Sequence, residues 1–149
     1  MAKKSLQGKV WVTSFFFASC PTECLLQNNQ VATLAREFGP KGVTFVSITC
    51  DPATDTPARL RDYANRFNAN ADQWLFLTGD LSDIQLIGEK RFKLTVEQST
   101  HSSRLAVVDR DGNVRGAFDW KDPAELTKLK LMLNKCLAEE PTEKRKETT

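Results

Sequence analysis

Apolar residues run almost without a break from Val10 to Ala18 and then give way to a longer periodic pattern. The continuous run predicts a strand buried on both faces, as in a parallel sheet. From Glu23 to about Phe38 the apolar positions recur at helical spacing, and Gly39-Pro40 ends the pattern. Val43–Thr49 is a second β-rich run, bounded by Lys41-Gly42 and by Asp51-Pro52. These three elements form a βαβ unit, which implies parallel strands joined by a right-handed crossover. Thr56-Pro57 reads as cap and first residue of a helix reaching about Phe67. A short strand follows at Trp74–Thr78, then a helix from Ser82 to about Phe92.

Beyond a polar loop, Leu105–Val108 and Val114–Phe118 flank Asp109-Arg110-Asp111-Gly112-Asn113, a hairpin signal. Asp122-Pro123 caps a last helix whose apolar stripe holds Leu126, Leu129, Leu133, Cys136 and Leu137. This order predicts a thioredoxin-like α/β three-layer sandwich, with a central mixed β-sheet and inserted elements of the peroxiredoxin-like kind. Residues 1–139 make one domain. Residues 140–149 are almost entirely charged or polar and read as a disordered tail.

With 149 residues, 40% hydrophobic and 27% charged, the chain can bury a real core. A net charge of +2, with dispersed basic residues, does not suggest nucleic acid as a partner. Val10–Ala18 is too short to cross a bilayer and no secretory signal precedes it, so the chain itself reads as soluble.

The candidate chemistry lies where the first strand meets its helix. Cys20 and Cys24 are four residues apart, which on a helix sets their Cα atoms roughly 6 Å apart on one face. Two thiols so placed can close a disulfide or share one soft metal ion. Pro21 suits a first helical turn, and the positive end of the helix favours the thiolate, which makes Cys20 the reactive sulfur.

The single histidine, His101, sits just before the strand Leu105–Val108. In a thioredoxin-like fold that segment passes beside the first helix, so His101 is expected to face the two cysteines. Thiol oxidoreductases of this fold carry a cis-proline there, yet none of the six prolines of this chain lies in that segment. Two thiolates and an imidazole suit copper, Cu(I) above all, although zinc could use the same donors with a water added. A solvated histidine is the bland alternative. Cys50 and Cys136 read as core residues, Cys50 close enough to the pair to leave an auxiliary redox role open. Asp51 and Asp55 are expected to shape a turn and cap the following helix.

Several motifs in this order resemble the Sco (SenC) family. They are Gly8-Lys9-Val10, Ser19-Cys20-Pro21-x-x-Cys24, Asp51-Pro52-x-x-Asp55-Thr56-Pro57-x-x-Leu60-x-x-Tyr63, His101-Ser102 and Asp109-x-Asp111-Gly112. The resemblance spans about Leu6 to Leu137. It implies a copper metallochaperone that binds Cu(I), Cu(II) or both through Cys20, Cys24 and His101. The implied recipient is the subunit of cytochrome c oxidase that bears the CuA centre, with other copper chaperones or thiol reductants as further partners.

The resemblance also implies a redox-active pair, Cys20 and Cys24, and a location on the exported side of a membrane, periplasm or mitochondrial intermembrane space. Family members usually carry an N-terminal anchor, so the chain reads as an excised or shortened domain. It departs from the family at Leu25 (usually proline), Thr100 (commonly aspartate) and Cys50 (usually aliphatic). The competing reading is a thiol–disulfide oxidoreductase or thiol peroxidase in which Cys20 attacks and Cys24 resolves.

Overall fold

The computed structural model describes residues 6, 8–18, 23–92, 96–97, 100–101 and 103–139. At Glu23, Arg91, Val96, Glu97, Thr100 and His101 the description covers the backbone alone. Strand β1 (Val10–Phe16) pairs in parallel with β2 (Val43–Thr49), and β2 with β3 (Trp74–Leu77). On its other side β1 is antiparallel to β6 (Arg104–Val108), which pairs with β7 (Val114–Asp119). The five-stranded order is β3-β2-β1-β6-β7, a mixed sheet of thioredoxin-like topology.

Centrality explains the apolar run. Of the seven residues of β1 only Trp11 is not buried, because helices cover both faces of the strand. Alternation divides its side chains between two cores. Val10, Val12 and Phe45 meet α1 (Glu23–Phe38) and α4 (Pro123–Ala138) through Leu34, Phe38, Leu129 and Leu133. Phe15, Ala106 and Val108 face the opposite way, against Ile84, Phe92 and Cys50. The sandwich therefore has three layers, as the order of elements predicts.

Local signals operate as read. Thr56 accepts a hydrogen bond from the Arg59 N–H at the start of α2 (Pro57–Arg66), and Asp122 accepts one from Ala124 at the start of α4. In the β6–β7 turn Asp109 Oδ1 accepts the N–H groups of Asp111 and Asn113, each at 2.9 Å. Gly112 takes a φ of 83°, a left-handed conformation open to glycine at little strain.

Two segments differ from the sequence pattern. The helix expected from Ser82 to Phe92 is α3 (Leu81–Leu86) followed by one π-helical turn, Ile87–Arg91, and Phe92 still reaches the core. The polar loop before β6 contains a small hairpin, β4 (Val96–Glu97) and β5 (Thr100–His101). Strands of two residues are too short for any alternation to show. The expected tail, residues 140–149, lies outside the described residues. No described helix is long and apolar enough to cross a membrane.

Candidate metal centre

Strand β1 ends at Phe16, and after Phe17 and Ala18 the chain re-enters the described structure at α1. Cys20 and Pro21 lie outside the described residues. Cys24, the second residue of α1, is fully buried against Phe16, Leu60 and Tyr63.

His101 is the last residue of β5, its backbone paired with Val96. Strand β5 lies beside β1. In the β1–β6 ladder Thr13 stands opposite Ala106, Val12 opposite Val107 and Trp11 opposite Val108. Continued past the ladder, that register sets Ser103 level with Phe16 and His101 level with Ala18, two residues before Cys20. Among the described residues no three histidine, cysteine or carboxylate side chains converge as a metal cluster.

A buried polar framework surrounds Cys24. Asp55 Oδ2 accepts the Ala18 N–H at 2.9 Å and the Thr49 hydroxyl at 2.6 Å. Thr49 Oγ1 in turn accepts the Asp51 N–H at 3.0 Å. Asp51 shapes its turn as expected, its carbonyl accepting the N–H groups of Thr54 and Asp55. Asp55 does not cap the next helix; Thr56 does. The Asp55 carboxylate reaches back 37 residues to brace the segment leading to Cys20. Its Oδ1 is buried with no hydrogen-bond partner among the described residues.

On α1, Asn28 donates from Nδ2 to the Tyr63 hydroxyl at 3.0 Å, and its Oδ1 is also buried with no partner among the described residues. Gln27 donates from Nε2 to the Phe15 carbonyl and accepts the Trp120 indole N–H, both at 2.9 Å. Gln27, Asn28 and Trp120 were not among the expected functional residues. A signal did exist: Gln27 and Asn28 stand three and four residues after Cys24, two long amides on a face that should be apolar.

The side chains of the two remaining cysteines pack away from this framework. Cys50 is fully buried and packs with Phe15, Ile84 and Phe92 on the sheet face opposite Cys24. Cys136 is buried in the α1–α4 core, far along the chain and at the other end of the sheet. Burial pushes its thiol pKa up.

Comparison with known proteins decides the family. Residues 1–133 match SCO1/SenC. The chain belongs to the SCO1/SenC family. A SCO1 protein homolog of Bacillus subtilis (strain 168) is 32% identical to this SCO1/SenC chain over 120 residues, covering 74% of the chain and 62% of the relative. The chain thus spans less than two thirds of that relative's length. A putative copper-binding protein of Stutzerimonas stutzeri is 29% identical over 152 residues, covering 92% of this chain and 70% of the other. Among solved structures, BsSco superposes with a TM-score of 0.78 at 27% identity, over 91% of this chain and 84% of that one. BsSco is described as a member of the Sco family of cytochrome c oxidase assembly proteins, with a disulfide switch.

Proposed function

We propose that this SCO1/SenC chain is a copper metallochaperone whose cargo is held by the Cys20 and Cys24 thiolates and the His101 imidazole. The observation that carries this reading is the strand β5, with His101, lying beside β1, whose far end leads into the cysteine helix. Two soft sulfur donors and one borderline nitrogen favour Cu(I) over harder ions. Three donors leave a copper ion open to attack by incoming thiols, so transfer proceeds by exchanging one ligand at a time.

Thiol–disulfide exchange with a disulfide-bearing partner, which takes up the two electrons and two protons and becomes a dithiol, would close a Cys20–Cys24 disulfide and remove both sulfur donors, tying copper capture to redox state. The disulfide switch described for BsSco and the copper-binding name of the Stutzerimonas stutzeri relative support both halves of this reading. The recipient is the CuA-bearing subunit of cytochrome c oxidase, met on the exported side of a membrane.

Titration of the reduced protein with Cu(I) against a competing chelator, without oxygen, tests the proposal. One equivalent is expected to bind. Cys24→Ser and His101→Ala are each expected to weaken binding by more than the 10–100-fold typical of losing an outer-shell partner. Wild-type affinity in His101→Ala, together with rapid turnover of disulfide substrates, would instead make the chain a thiol–disulfide oxidoreductase.

A further inference from the structure

The cysteine helix and the histidine strand are distant in sequence, yet one residue is bonded towards both. Trp120, directly after β7, donates its backbone N–H to the Ser103 carbonyl at 3.4 Å, two residues past His101. Its indole Nε1–H donates to Gln27 Oε1 at 2.9 Å, three residues past Cys24. Gln27 completes the connection by donating from Nε2 to the Phe15 carbonyl at 2.9 Å, near the end of β1. The chemistry fixes the orientation of the Gln27 amide. An indole nitrogen only donates and a carbonyl only accepts, so the amide oxygen must face Trp120 and its nitrogen Phe15.

Gln27 is fully buried, so neither end of its amide can turn to water for a substitute partner. Residues three apart on a helix share a face, so a tether at Gln27 restrains the rotation and tilt of α1 at the turn that carries Cys24. The Arg104–Asp119 pair of the β6–β7 ladder lies immediately beside the Ser103–Trp120 contact and keeps the strap short.

We infer that Gln27 and Trp120 are positioning residues, a strap that sets the separation between the cysteine helix and the histidine strand and thereby the affinity for copper. The inference rests on Cys20, Cys24 and His101 being the copper ligands. Neither strap residue is a ligand. Both act on the gap between the donors, which metal bonds tolerate only within a few tenths of an ångström.

Two substitutions remove the central hydrogen bond and leave an apolar side chain in its place: Gln27→Met, which keeps the volume, and Trp120→Phe, which is smaller. Each is expected to weaken Cu(I) binding about tenfold and to move the thiolate-to-Cu(II) charge-transfer band. The double variant is expected to bind little worse than the weaker single one, because both cut the same connection. In the metal-free protein, backbone amides of residues 100–104 are expected to exchange hydrogen faster in both variants.

A role confined to packing predicts lower thermal stability with copper affinity and band position unchanged; binding within about twofold of wild type in both variants overturns the inference. His101→Ala, run alongside, separates the two claims. If it binds copper as wild type does, the ligand assignment fails, and amide exchange then decides the strap alone. Unchanged exchange at 100–104 in both variants overturns it.

Discussion

Where β1 begins, the Arg110 guanidinium donates to three carbonyls, Gly8 at 3.2 Å, Leu137 at 3.3 Å and Glu139 at 3.1 Å, joining the two ends of the described domain. Beside it Arg115 pairs with Asp109 at 3.2 Å and with both carboxylate oxygens of Glu139, at 2.5 and 3.1 Å. Where β1 finishes, the buried polar groups are less completely matched. Among the described residues Asp55 and Asn28 each keep one buried oxygen with no partner, and so does Thr13 in the middle of β1. A buried acceptor left unbonded costs roughly 1–3 kcal/mol. One end of the sheet is built for cohesion, and the other holds polar groups that cohesion alone would not select. The poorly matched end is the one that carries the cysteine helix.

Asp55→Ala is the sharpest way to test that difference. It leaves the buried Thr49 hydroxyl and the half-buried Ala18 N–H without their acceptor, a loss of about 2 kcal/mol. Urea unfolding measures that loss, and Cu(I) competition is expected to show weaker binding as the segment before Cys20 loosens. Asp55→Asn keeps one acceptor oxygen and is expected to recover most of the stability. Equal losses in Ala and Asn would mean that charge, not the two hydrogen bonds, braces the segment.

The opposite end supplies the control. Arg110→Met removes three hydrogen bonds from a partly exposed cation and is expected to lower stability by about 2 kcal/mol. Its copper affinity is expected to equal that of wild type. Were Arg110→Met to weaken copper binding as far as Asp55→Ala does, the contrast between the ends would reduce to general stability.

A smaller effect separates the ion pairs from the carbonyl clamp. The hydrogen bonds that Arg115 donates to Glu139, and then to Asp109, raise its pKa, so the cation persists across the working range. Glu139→Gln is expected to lower stability by about 0.5–1 kcal/mol at low ionic strength, a difference that 1 M salt largely removes. A loss that ignores salt would point to packing of the side chain instead.

Elements with an uninterrupted physical signature were legible in the sequence. The β1 run, the β2 run at Val43–Thr49, both proline-capped helices and the Asp-Gly turn stand where local chemistry alone puts them. The β4–β5 hairpin was not legible, since two-residue strands owe their existence to tertiary placement rather than to alternation. Among the candidate ligands, Cys24 stands near the start of α1, where the helical pattern put it. The residues that brace it were not legible. Asp55 was expected to help cap the following helix; its actual partner, the Ala18 N–H, lies 37 residues earlier, and the βαβ pattern gives the strand order but not which side chain bridges the two strand ends. Gln27 and Trp120 are 93 residues apart, and nothing local links an amide to an indole.

Cys136 gives the mildest test of the cohesive end. Burial is the main influence and raises its pKa; Arg115 and Lys135 oppose that, while Glu139 and Asp109 add to it. A thiol pKa raised in the folded state contributes stability fully below the unfolded value, about pH 8.5, and loses it as pH climbs towards the folded value. Cys136→Ala opens a small void and is expected to cost about 1 kcal/mol near neutrality. The gap between variant and wild type is expected to shrink steadily above about pH 8.5, because only the wild type must keep the Cys136 thiol protonated to stay folded. A gap that stays constant into the alkaline range would show that the Cys136 thiol titrates alike in both states. The α1–α4 core would then be more open to water at this end than its packing indicates.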